Sequence, residues 1–331
     1  MTIPKSVRSF IAIGPLPHPT RKSSFLVLAF LLAQMLPAPA ATNRQSQDDT
    51  IKLSADLVLL DAQVLNKGNG HAVRGLTKDD FVLYEDNVKQ HISYFSQDKL
   101  LLSIVILLDV SSSIAPVFNS LRSAATQSLA RLKSGDQVAL MAFGGSTKVA
   151  HDFTTDKSAI ADAIQTTDGT GLENGTIINE GVSQATRYLQ EHSSATSRRV
   201  ILAITDDMST QRSPSPSESD TLRKLHESNA VVCGLIFFNP LQHTRITQVP
   251  GSVRNYANQT GGVIINANKK RLATDLDELI ERLRSRYSLG FFSTNETRDG
   301  RFRKIKLELA PQTLEREGKV EIITRKGYQR H

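Results

Sequence analysis

The sequence predicts an α/β fold: a doubly wound, mainly parallel sheet with helices on both faces, flanked by N- and C-terminal β-strand segments. Three observations carry that reading. Continuous apolar runs such as 101–108 and 200–205 have the composition of strands buried on both faces. Between them lie segments whose apolar residues recur at intervals of three and four, the spacing of a helix with one packed face. At both ends of the chain the apolar residues alternate with period two instead, as in half-buried strands.

Residues 1–40 read as a signal peptide. A basic stretch ends at Arg21 and Lys22, an apolar run of twelve residues follows at 25–36, and Ala38-Pro39-Ala40 supplies a small-residue cleavage pattern. Twelve residues, one of them Gln34, are too few for a bilayer crossing, which needs about 20. No later segment is longer, so the mature chain is expected to be soluble, without a transmembrane segment, and secreted or periplasmic. The leader also accounts for much of the formal net charge of +7. It carries Lys5, Arg8, Arg21 and Lys22 and no acid; without it 36 basic residues face 33 acidic ones, an ordinary surface balance. Cys233 stands alone in the chain, so no internal disulfide is available and an exported fold must rest on its own core. The thiol lies in the apolar run 230–238, where a buried strand position is expected.

The first segment after the leader, 42–98, is expected to form a small β-rich unit. Leu57, Leu59, Asp61, Gln63 and Leu65 alternate with Val58, Leu60, Ala62 and Val64 before a Gly68-Asn69-Gly70 turn. Asp79, Asp80, Glu85 and Asp86 lack calcium-loop spacing and are expected in solvated turns. Residues 99–286 are expected to hold the α/β domain, with strands at 101–108, 137–143, 200–205, 231–238 and 262–266. Phe118, Leu121, Ala125, Leu129 and Leu132 mark a helix after the first strand, and further helices fit 181–191, 217–228 and 270–286. The C-terminal extension, 287–331, shows strands and no helix. Asp299-Gly300 there predicts a hairpin between 289–293 and 302–309. The two β segments are expected to pack together, with the α/β domain inserted between them in the chain.

In an open α/β sheet the ligand crevice lies beyond the carboxyl ends of the strands. The first apolar run ends in Asp109-Val110-Ser111-Ser112-Ser113, the run 200–205 ends in Asp206-Asp207, and a Gly-containing loop from Thr167 leads to Gly175 and Thr176. Two carboxylates and three hydroxyls at one sheet edge, with neither His nor Cys, suit a hard divalent cation: Mg²⁺ first, Mn²⁺ or Ca²⁺ next, Zn²⁺ disfavoured. Neutral hydroxyl ligands leave such a cation much of its charge, which favours an incoming carboxylate. Either Asp206 or Asp207 could face the metal, and Asp206 is preferred because it follows the strand end directly.

Taken together, these residues resemble the von Willebrand factor type A domain, a Rossmann-like fold, with a metal-ion-dependent adhesion site. Asp109, Ser111 and Ser113 match its Asp-x-Ser-x-Ser motif, Thr176 its loop threonine and Asp206 its later aspartate; Asp207 departs from the glycine usual at that place. The resemblance spans about 100–286, and the flanks resemble those of exported acidobacterial proteins of this type. It implies that Asp109, Ser111, Ser113, Thr176 and Asp206 hold the metal, that the loops around Ser112, Gly175 and Asp207 meet a partner, and that an Asp or Glu of that protein partner completes the metal shell.

The sequence therefore points to an exported, metal-dependent protein-binding module for adhesion or interaction. The alternatives are an envelope structural or assembly component with a vestigial or stabilising metal site and, third, a metal-dependent hydrolase. Catalytic residues are not expected: the chain lacks a P-loop, a His-Glu-x-x-His helix and a Gly-x-Ser-x-Gly elbow. Nor is a nucleic-acid partner expected. Residues 282–330 hold 13 basic against 6 acidic residues, yet alternation places Arg301 and Arg303 opposite Lys304 and Lys306, which makes no basic stripe.

Overall fold

The computed structural model describes residues 57–97, 99–194, 196–210, 216–238 and 249–330. Residues 1–40, expected from the sequence to be a signal peptide, lie outside the described residues. Its strands are β1 (Leu57–Asn66), β2 (Phe81–Glu85), β3 (Val88–Gln90), β4 (Ile92–Gln97), β5 (Leu102–Asp109), β6 (Gln137–Phe143), β7 (Thr147–Thr154), β8 (Arg198–Thr205), β9 (Met208–Ser209), β10 (Val231–Phe237), β11 (Val249–Pro250), β12 (Ile264–Ala267), β13 (Tyr287–Phe292), β14 (Phe302–Leu309), β15 (Val320–Thr324) and β16 (Gly327–Gln329). The helices are α1 (Phe118–Leu129), α2 (Lys157–Thr166), α3 (Ile178–His192), α4 (Glu218–Ser228), α5 (Val253–Thr260), α6 (Leu272–Arg284) and α7 (Pro311–Glu317).

Six strands form the central sheet in the order β12-β10-β8-β5-β6-β7. All neighbouring pairs are parallel except β6 and β7, so the sheet is mixed at one edge only. Every residue of β5 is buried, as its unbroken apolar run requires. Ile104, Ile106 and Leu108 point into a core shared with α1, α2 and α6. Val105 and Leu107 point into a second core with α3, α4 and α5. That two-sided burial is the physical reason for the continuous hydrophobic strands. β7 has no such signature, because its residues are half-buried or exposed along an outer edge.

The strands at the two ends of the chain pair with one another. One four-stranded sheet has the order β15-β1-β13-β4 and another β16-β14-β2-β3. Leu60, Ala62 and Val64 of β1, Leu83 of β2, Tyr287 and Phe291 of β13, and Leu307 of β14 share one core between these sheets. The opposite face of β1 is buried at Gln63 and Leu65 and half-buried at Leu57, Leu59 and Asp61. Gln63 donates to the Arg282 carbonyl and to Ser285 Oγ, both at 2.9 Å, and Asp61 pairs with Arg198 at 2.9 Å, where β8 begins. The β module thus abuts the amino-terminal edge of the central sheet, leaving the opposite edge uncovered by it.

Three expectations are corrected. The Asp299-Gly300 turn does not close a hairpin: β13 lies between β1 and β4 in one sheet, whereas β14 pairs with β2 and β16 in the other. Both edges of β13 are already taken, so the local turn signal is overridden by long-range pairing. The C-terminal segment is not free of helices, because α7 spans Pro311–Glu317, with Pro311 at its start and Gly318 at φ +74° after its end. Glu85 is not in a solvated turn. It is 2% exposed, and its carboxylate accepts hydrogen bonds from Tyr328 Oη and Ser293 Oγ.

Candidate functional site

β5 and β8 lie side by side and run parallel, with Leu108 opposite Ile204, so both strands deliver their last residues to the same edge. Asp109 ends β5 with no exposed surface. Its Oδ1 accepts from the Ser111 backbone N–H at 2.9 Å, and its Oδ2 accepts from Thr205 Oγ1 at 2.6 Å. The turn this makes brings Ser111 and Ser113 together, their hydroxyls sharing a hydrogen bond at 2.9 Å, while Ser112 between them is exposed. The alternate spacing therefore aims two hydroxyls at one another and turns the third outward. Burial pushes the Asp109 carboxyl up to about 6; its hydrogen bonds from Thr205 and Ser111 oppose that rise and the nearby Asp206 charge adds to it.

Asp206 follows β8 directly and is 3% exposed, with its Oδ1 accepting from the Met208 N–H at 3.2 Å. Asp207 is engaged elsewhere. It stands at φ +55°, a conformation that glycine adopts without cost, and its Oδ1 accepts from the Val253 N–H at the start of α5 at 3.0 Å. Its carbonyl accepts from the Gly251 N–H at 2.7 Å, and Arg254 Nε lies 3.8 Å from Oδ2. Burial raises its pKa, against the Val253 and Arg254 amides and the Arg254 charge. The two neighbouring carboxylates thus have different surroundings, Asp207 holding the first turn of a helix.

Thr176 is 3% exposed and is tied to the chain beyond β8. Its N–H donates to Thr210 Oγ1 at 2.9 Å, and its carbonyl accepts from Ser209 Oγ at 3.0 Å and the Thr210 N–H at 3.0 Å. The loop leading to it is pinned against the end of β6, with Gly145 N–H donating to the Glu173 carbonyl at 2.9 Å. Two glycines permit this approach. A Cβ on Gly145 would lie 2.4 Å from the Asn174 carbonyl oxygen, and Gly175, at φ +109°, would place one 2.7 Å from Thr210 Oγ1.

Thr205 and Thr210 were not among the site residues the sequence picks out, although both hold the ones it does. Thr205 is the strand-end residue beside Asp109, and its role becomes visible only when β5 and β8 are set in register. No His, Cys, Asp or Glu group of three or more gathers among the described residues to hold a metal. The donors at this edge are two buried carboxylates plus hydroxyls, an all-oxygen set whose chemistry fits a hard divalent cation.

Residues 104–209 match the family model of the von Willebrand factor type A domain. No curated protein matches the chain. Among solved structures, similarity is found to an aerotolerance-related membrane protein from Bacteroides fragilis, at 14% identity over 55% of this chain and 99% of that one, with a TM-score of 0.42. Proximal thread matrix protein 1 from the mussel byssus, in a structure with a zinc-occupied MIDAS motif, is similar at 16% identity over 57% of this chain and 49% of that one, with a TM-score of 0.42. The type A domain of SpRpn10 is similar at 16% identity over 55% of this chain and 95% of that one, with a TM-score of 0.35. The matched residues run from β5 to β9, through the mixed sheet that carries helices on both faces.

Proposed function

We propose that this protein is an exported interaction module in which a divalent cation bridges the domain to an acidic residue of a protein partner. The observation that supports the reading best is the edge where β5 and β8 end together. There Asp109 and Asp206, both buried, stand with the hydroxyls of Ser111 and Ser113, and Thr176 is fastened to the same loop system. Asp109, Ser111, Ser113, Thr176 and Asp206 would hold the ion. When bound, it supplies an electrophilic point that takes a carboxylate oxygen.

The chain's own residues set that point in place. Thr205 and the Ser111 amide fix the Asp109 carboxylate, and the bonds between Thr176 and the 209–210 segment fix the loop. Mg²⁺ is the proposed ion, with Mn²⁺ and Ca²⁺ as substitutes. A binding role requires no nucleophile paired with a base at the site.

The test is a Mn²⁺ titration of the purified chain followed by electron paramagnetic resonance, with Mg²⁺, Ca²⁺ and Zn²⁺ as competitors and acetate added last. One saturable site, displaced by Mg²⁺ and altered in signal by acetate, supports the reading. No uptake at millimolar Mn²⁺ contradicts it. Export is tested separately by fusing residues 1–41 to a reporter active only outside the cytoplasm. No described helix is long and apolar enough to cross a membrane.

A further inference from the structure

The sheet edge that carries the candidate metal site continues past β8 to β10 and β12, and along it the exposed charge becomes positive. Arg254, in the first turn of α5 and 52% exposed, has its Nε 3.8 Å from Asp207 Oδ2 beyond β8 and donates through an Nη to Asn266 Oδ1 in β12 at 2.8 Å. Its guanidinium thus links the segment after β8 to β12. Lys269, Lys270 and Arg271 follow β12 on the turn into α6, all exposed, at the positive end of that helix. Arg254 is set against Asp207, the Glu218 carboxylate is bonded to Ser252 and Asn255 beside it, and Arg271 pairs with Asp275, so with Lys269 and Lys270 the row keeps one surplus positive charge, at the 269–271 turn. The loop on the other side of the site is acidic instead, with Asp168 and Glu173 exposed and Lys148 Nζ bound to the Thr170 carbonyl.

Resting on the metal-site reading above, we propose that the partner is an extended acidic peptide segment that lies over β8, β10 and β12, away from the acidic loop. Its first carboxylate meets the metal, and further carboxylates meet Arg254 and the Lys269–Arg271 turn. The spacing follows from the sheet. Neighbouring strands are about 4.8 Å apart, so the gap between β5 and β8 is about 12 Å from β12. An extended chain covers that distance in about four residues at about 3.4 Å each. A cationic row beside a cation site repels a basic partner and selects among acidic ones by the position of their second charge.

The test uses the full chain and two fluorescent Gly/Ser dodecapeptides, one with Asp at position 4 alone and one with Asp at positions 4, 8 and 9, in Mg²⁺ at low salt. Anisotropy is expected to give the second peptide about tenfold higher affinity, from two added ion pairs. Lys269→Glu/Lys270→Glu should abolish that advantage and leave the single-Asp peptide within about twofold. Lys269→Gln/Lys270→Gln, which adds no repulsion, should remove part of it. Equal binding of the two peptides, an advantage that survives charge reversal, or no binding of either at millimolar peptide overturns the proposal. The metal reading fails separately: the tenfold advantage would then persist in chelator and still disappear on charge reversal.

Discussion

Replacing Asp109 by Asn should stabilise the metal-free protein at neutral pH while removing its metal site. The carboxyl is fully buried, and its pKa rises from 3.8 to about 6, first through desolvation and further through the Asp206 charge. Between those two pH values the native state keeps a proton that the unfolded chain has released. This group's contribution to stability is therefore full below pH 3.8, falls as pH increases, and is lost as pH passes through about 6. The full difference is worth about 3 kcal/mol, at about 1.36 kcal/mol per tenfold. Asn carries no charge to desolvate, and its Oδ1 can still accept from the Ser111 amide, so the variant should lack this pH dependence. Urea unfolding in chelator at pH 4 and pH 7.5 measures it: near equality at the lower pH, and the variant more stable by about 1–3 kcal/mol at the higher. Adding Mg²⁺ should reverse the order, because only the wild type gains from binding. A variant less stable than wild type at pH 7.5 in chelator, or one with an unchanged pH slope, refutes the reasoning.

Other consequences follow from the same contacts. Asp207→Ala removes the carboxylate that caps α5 and puts a β-carbon residue at φ +55° without the side chain that held it, so hydrogen exchange at 253–257 should speed up about tenfold or more, while Mn²⁺ uptake stays within a few fold of wild type. Arg198→Ala removes the ion-pair partner of half-buried Asp61 at the seam between the β module and the central sheet and leaves it the Ser288 hydroxyl, so thermal unfolding should report a loss of about 1–3 kcal/mol. Tyr328→Phe removes one of the two hydroxyls that donate to buried Glu85, which should lower stability by about 1–3 kcal/mol in urea unfolding, with metal uptake unchanged at the far end of the molecule.

Elements buried on both faces were legible because the physics acts within a short window. The run at 101–108 and the observed Leu102–Asp109 differ by one residue at each end, and the motif residues Asp109, Ser111 and Ser113 follow from where that strand stops. β7 left no comparable trace, since an edge strand needs only partial burial. The turn at Asp299-Gly300 misled because a hairpin signal is local, whereas the partners of β13 lie 190 or more residues away at β1 and β4. Pro311 and Gly318 do bracket α7 in the sequence, but the helix between them is only seven residues long and carries little apolar periodicity.

At the site, Asp109 and Asp206 were legible as residues at the ends of neighbouring strands. What the sequence withheld was the support beneath them. Thr205 reaches Asp109 through inter-strand register, and Asp207 turns to α5 through a left-handed backbone, neither of which is visible in spacing alone. Arg254 and the 269–271 turn were likewise unremarkable as sequence. They become a row only when β8, β10 and β12 are laid side by side.

The central claim is that Asp109 and the hydroxyls beside it hold a divalent cation, and isothermal calorimetry of the purified chain with Mg²⁺ tests it most directly, run beside Ser111→Ala and Thr176→Ala with circular dichroism as the folding control. The account predicts one saturable site in the wild type and at least a tenfold loss of affinity in each folded variant. Binding that is unchanged in both variants, or heat from several weak sites spread over surface carboxylates, would contradict it.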